Sequence, residues 1–168
     1  ILRQDFMHLQ SIAIDNSGSS DADDAISLDN NIVWIHIADV ASRVPYDGEL
    51  ESYAQQRISN LYLPDQVIHM LPTNLTPLCS LGESETSQAI SIGFEMVENQ
   101  ITNIQVIPSN IKVEKMSYKE ADKVIKEHKA LSKLNALAKS HKAFRNGNGA
   151  IKLDFPTVDI GINKNMVS

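Results

Sequence analysis

The chain of 168 residues has a single cysteine, Cys79, so neither an internal disulfide nor a multi-cysteine zinc site can hold it together. A reducing compartment, the cytoplasm, is the expected location. No apolar run reaches the length of a membrane span, and the opening ILRQDFMHLQ places Asp5 and His8 where a signal peptide needs an apolar core. No membrane partner is expected. Aromatic residues make up only 5% of the chain, yet 42% is hydrophobic and 21% charged, which is enough for one buried core and excludes a disordered or collagen-like chain. An opening at Ile1 and a close at Ser168 without a capping element suit a piece of something longer.

Positive charge is missing from the first two thirds. Residues 1–110 contain Arg3, Arg43 and Arg57 against fifteen acids, whereas residues 111–168 contain twelve Lys and Arg against six. The overall charge of −6 argues against tight duplex DNA binding by counterion release, and the Lys-rich end reads first as a solvated helix face.

Residues of alternating character at Ser11–Asp15, then AISLD at 25–29 and IVWIHIAD at 32–39, predict strands, with Asn30-Asn31 as a hairpin turn. NSGSSDAD at 16–23 is a polar, small-residue loop. A short helix is expected near 48–58, with Asp47 able to cap it, and the prolines at 45, 64, 72 and 77 leave only short pieces before Cys79. Two more strands, 87–97 and 101–116, flank a turn at Asn99-Gln100, and Pro108 marks a break or an edge. Ser117 and Glu120 form a capping box that opens a helix to about Glu127. A second helix, about 130–145, stops at Asn146-Gly147 and carries Leu131, Leu134, Leu137, Ala138, His141 and Phe144 on one face. Together these predict an α+β domain, a mixed β-sheet with helices packed on it.

The chemistry concentrates in IDNSGSSDADDA, where Asp15, Asp21, Asp23 and Asp24 fall within ten residues. Mutual repulsion costs stability unless a cation neutralises them, and hard oxygen donors suit Mg²⁺, Mn²⁺ or Ca²⁺. On spacing alone, a solvated acidic turn is an equal alternative. A helix-loop-helix calcium site is excluded, because Ser20 stands where the loop needs Gly and Ile26 where it needs a bidentate Glu. A site with few protein ligands and open positions suits Mg²⁺ completed by water and a substrate phosphate, which points to phosphodiester chemistry.

Read together, RQDF, IDNSGSSDADDAISL (14–28), WIHIADVASRV (34–44), LESYAQQRISNLYLP (50–64), MLPTNLTPLCSL (70–81) and a looser GAIKLDFP (149–156) resemble the RNB-type catalytic domain of the ribonuclease II and ribonuclease R family. These are 3′-to-5′ exoribonucleases. The resemblance implies a hydrolytic enzyme that degrades single-stranded RNA to nucleoside 5′-monophosphates with Mg²⁺ (Mn²⁺ possible). It implies that Asp15, Asp21, Asp23 and Asp24 together bind the metal, with Asp15 and Asp24 as its direct ligands, Asp23 at a second metal or the attacking water, and Asp21 facing the 3′-terminal ribose. Asp21 and Asp23 are thus the expected catalytic residues, and Tyr62 the RNA-binding ring that stacks on the 3′-terminal base; packing at a helix end is the alternative for Tyr62. Asn60 replaces the family's usual Ser.

Other residues have plainer readings. His36 and Asp39 are expected to be structural, Cys79 to fill core, and Arg57 to reach a phosphate or make a helix-packing ion pair. The family domain is about twice as long, and its second half supplies an arginine at the scissile phosphate. Neither that segment nor the flanking oligonucleotide-binding β-barrel domains occur here, so residues 1–168 match the first half of the catalytic domain. The missing half or a second chain is the expected partner, and the alternative function is a non-catalytic metal- or RNA-binding fragment.

Overall fold

Small side chains on one face of the strands decide how tightly the sheet can bend. In the computed structural model, which describes residues 1–19, 21–63, 65–153, 162–163 and 166–167, that face carries Ser11, Ala13, Ala25, Ser27, Ala89, Ser91 and Ser109, all buried. The strands are β1 (Gln4–Asp5), β2 (Ser11–Asp15), β3 (Asp24–Asp29), β4 (Ile32–Ala38), β5 (Leu61–Tyr62), β6 (Val67–Ile68), β7 (Ser87–Val97), β8 (Gln100–Ile111), β9 (Val113–Ser117), β10 (Ile162–Asn163) and β11 (Met166–Val167). Seven form one sheet in the order β1-β8-β7-β4-β3-β2-β9, with β1–β8 and β2–β9 parallel and the other pairs antiparallel. Only Lys112 separates β8 from β9, although four strands lie between them in that order. The sheet therefore curls toward its own far edge.

Inside the curl Phe6 packs on Trp34 with ring centroids 4.6 Å apart, joined by Leu9, Leu81 and Ile111. His36 sits at its centre, fully buried. Its Nε2 lies 2.8 Å from Ser27 Oγ and 3.4 Å from Ser11 Oγ, and its Nδ1 lies 2.6 Å from Ser91 Oγ, which in turn meets Ser109 Oγ. Burial pushes the imidazole down to about 4 from 6.5, so it stays neutral and is satisfied by hydroxyls. Asp39 pairs with Arg3 and accepts from Ser42 N–H at 3.2 Å, capping the 3-10 turn Val40–Ser42. Both residues are structural, as expected.

The helices are α1 (Glu49–Arg57), α2 (Thr76–Cys79), α3 (Tyr118–Val124) and α4 (Lys129–Gly147). On the sheet's other face α3 packs on β2 and β9, and α4 on β3, burying Ala121, Leu131 and Leu134. Burial fades along α4, leaving Ala138 exposed and Phe144 40% exposed. The capping box at Ser117 and Glu120 forms in full.

Several boundaries differ from expectation. Gly48, not Asp47, caps α1, because Asp47 adopts φ 59° and its N–H points to the Glu51 carboxylate. The turn between β7 and β8 uses Glu98 and Asn99, both at positive φ, and Gln100 already belongs to β8. Pro108 lies inside β8 opposite Ile90, and the break comes at Lys112; apart from β1 at Ser109 and Asn110, β8 is an edge strand, where a missing N–H is tolerated. α3 ends at Val124, and α4 runs through Gly147, with the left-handed φ of 86° falling at Gly149. The GAIKLDFP segment from Asp154 onward, Ser20 and Pro64 lie outside the described residues.

Candidate functional site

The loop between β2 and β3 leaves the sheet at Asp15 and returns at Asp24, so its two end acids are placed by strand pairing: Asp15 opposite Ser117, Asp24 opposite Ile37. Its main chain is fastened at three points. Leu81 N–H donates to Ala22 C=O at 2.8 Å, Ala38 N–H to Asp23 C=O at 2.9 Å, and Lys115 Nζ to Ser19 C=O at 2.9 Å. Ala22, buried between the acids, anchors the loop while Asp23 and Asp24 stay exposed.

One cavity of about 580 Å³ is lined by Asp15, Asp21, Asp23 and Asp24 together with Tyr62, Val67, His69 and Tyr118. All five site residues expected from sequence thus share one wall. Ser19 Oγ lies 2.6 Å from Asp15 Oδ2 and 3.0 Å from Asp21 Oδ1, so those carboxylates stand on either side of one hydroxyl. A hydroxyl has one proton to give, and two carboxylates face it. Although Asp23 opens to solvent, desolvation in the concave wall and the charges of Asp21, Asp24 and Asp15 raise its pKa above the ordinary carboxylate value. Asp23 is therefore within electrostatic reach of the other three.

The four carboxylates are chemically suited to a hard divalent cation, and no Lys or Arg is among the described lining residues. Among the described residues, however, no three His, Cys, Asp or Glu side chains form a ready-made ligand group. The acids line one cavity without converging on a point.

Tyr62 reaches this wall from a separate unit, the hairpin of β5 and β6. A tight turn on Ile58 (φ 69°, ψ −46°), closed by Ser59 N–H to Arg57 C=O at 2.8 Å, redirects the chain from α1 into it. Tyr62 is 67% exposed, with its hydroxyl 3.4 Å from Asn60 Nδ2, so it does not pack at a helix end. Arg57 makes no ion pair among the described residues: its guanidinium lies 4.6 Å over the Tyr53 ring and Nη1 donates to His69 C=O at 3.4 Å. Cys79 is core, its thiol pushed up mainly by burial. His69 and Tyr118 escaped the sequence reading. Tyr118 enters because Ser117 pairs with Asp15 across the sheet, a register no local pattern announces.

The RNB domain family matches residues 3–168. Ribonuclease R of Chlamydia pneumoniae is 33% identical over 175 residues, covering 96% of this chain and 26% of that protein. The mitochondrial exoribonuclease II of Schizosaccharomyces pombe is 31% identical over 140 residues, 78% of this chain and 15% of that protein. Among solved structures, Mycoplasma genitalium RNase R in complex with double-stranded RNA aligns with a TM-score of 0.87 at 25% identity, covering 96% of this chain and 32% of that one. The chain spans about a quarter of the length of the Chlamydia relative. With the family match running over nearly every residue and the curled sheet superimposing on that of a ribonuclease R, the chain belongs to the RNB domain family, a ribonuclease family.

Proposed function

We propose that the chain supplies the acidic half of the active site of a hydrolytic 3′-to-5′ exoribonuclease, which degrades single-stranded RNA in the cytoplasm to nucleoside 5′-monophosphates. The observation that carries this reading is that Asp15, Asp21, Asp23, Asp24 and the exposed Tyr62 line one cavity. Stacking suits an enzyme that must grip any 3′-terminal base, because every base has a π-face. Asp15 and Asp24, held at strand ends, would hold Mg²⁺ or Mn²⁺; Asp23 would orient the attacking water, and Asp21 would face the terminal ribose. The bound ion supplies positive charge beside the scissile phosphate, where negative charge builds in the transition state. Water oxygen adds to phosphorus, the bond to the preceding 3′ oxygen breaks, and one 5′-monophosphate leaves.

No cationic side chain is among the described residues lining this cavity. We therefore assign the phosphate-facing arginine to the second half of the domain, or to a second chain, and keep a non-catalytic metal- or RNA-binding unit as the alternative. Labelled single-stranded RNA incubated with the full protein and Mg²⁺ tests the reading. Stepwise release of 5′-monophosphates from the 3′ end, stopped by EDTA, is expected; binding without turnover would favour the alternative.

A further inference from the structure

The hairpin presents more than Tyr62 to the acids. Its register sets Tyr62 opposite Val67, and His69, two residues further on, joins both in lining the cavity. His69 also lines an adjoining cavity of about 240 Å³, beside Asn60 and Thr76. Only Asp21, Asp23 and His69 are common to the described linings of both cavities. His69 thus borders the same space as Tyr62 and both of these acids.

Its backbone is fixed on both sides. Arg57 holds the His69 carbonyl, and Met70 N–H donates to Asn60 Oδ1 at 2.7 Å. His69 is half-buried, and its ring makes no hydrogen bond among the described residues. An imidazole offers at least one ring N–H donor, and a concave wall leaves it for a ligand to pair.

A nucleotide runs from base through ribose to phosphate. With the base on Tyr62 and the phosphate beside the acids, the ribose falls between them, within the cavity that His69 also lines. A ribose hydroxyl, at once donor and acceptor, can pair with either ring nitrogen of an imidazole. We propose that His69 hydrogen-bonds the 2′-hydroxyl of the 3′-terminal nucleotide and makes the site favour RNA ends over DNA ends. This assignment rests on reading the pocket as an exoribonuclease site.

The test measures binding of fluorescent oligoribonucleotides that differ only in their last residue, ribo or 2′-deoxyribo. The full protein carries Asp23→Asn, which separates binding from turnover, and Mg²⁺ is present. The His69 protein should bind the ribo end about tenfold more tightly, the worth of one hydrogen bond. His69→Ala should bring the ratio close to one, and His69→Gln, which keeps a donor and an acceptor, should retain part of it. Each ratio is taken within one variant, so a misfolded fraction cancels. An unchanged ratio in His69→Ala, or no preference in the parent, overturns the assignment while RNA degradation by the wild type leaves the exoribonuclease reading standing. A wild type that neither binds nor degrades RNA overturns both.

Discussion

The ring of Trp34 on β4 occupies the space above Gly93 on β7, its cross-strand partner: a Cβ added at Gly93 would lie 2.5 Å from the indole. Trp34 is the large side chain that fills the curl, and its buried Nε1 has no partner among the described residues, so its place there rests on shape. Gly93→Ala should lower stability by about 1 to 3 kcal/mol, the usual cost of overpacking, and Trp34→Leu in the same chain should recover part of it. Urea unfolding of the two variants measures this; a Gly93→Ala midpoint equal to that of the wild type would show that the ring can move aside.

His36 makes stability pH-dependent. Its imidazole accepts a proton at about 4 when folded and at 6.5 when exposed, so between these values the unfolded chain binds the proton first. The contribution is fully present above pH 6.5, is lost as pH falls toward 4, and amounts to roughly 3 kcal/mol. Denaturation from pH 7.5 down to 4 should show this decline, and the His36 ring should remain neutral by NMR at pH 5.5. A ring already protonated there would contradict the buried hydroxyl network.

Ile58 holds a left-handed φ of 69° while 83% exposed, so it bears strain without packing in return. Ile58→Gly should raise stability by about 1 kcal/mol by thermal or urea unfolding, strain relief outweighing the entropy of glycine. A loss of stability would mean that the side chain has a packing role.

Asp23→Asn should reduce RNA hydrolysis by the full protein to near background while leaving its affinity for single-stranded RNA largely intact. Charge is removed at the acid cluster, and the stacking surface of Tyr62 is untouched. Filter binding and product release on one oligonucleotide give both numbers, and their equal loss would assign Asp23 to the loop's structure.

Tyr62→Ala should weaken the hold on the last nucleotides by about 1 to 3 kcal/mol, the worth of one stacked base, and change the length at which degradation stops. A denaturing gel of end products displays this directly. An unaltered ladder would remove Tyr62 from the RNA site.

Local patterns were readable wherever neighbours along the chain satisfy one another. Period-two alternation marked β2, β3 and β4, Asn30 took the positive φ of 52° that its turn requires, and Ser117 and Glu120 closed their box three residues apart. The spacing of Asp15, Asp21, Asp23 and Asp24 pointed to a charge cluster for the same reason: residues so close in sequence cannot avoid one another's fields. Asp47 failed as a cap because its own backbone, turned to φ 59°, took the side chain out of position.

What joins the acids to Tyr62, His69 and Tyr118 had no such local signature. Lys115 reaches back to Ser19, Ser117 pairs beside Asp15, and Leu81 fastens Ala22, contacts between segments about sixty to a hundred residues apart. They arise because serines and alanines let the sheet curl until β9, one residue beyond β8, lies against β2. A side-chain pattern records which face of a strand is buried. It does not record which distant strand will lie beside it, since that depends on the volume enclosed by the whole sheet, and here that volume is set by Trp34 lying over Gly93.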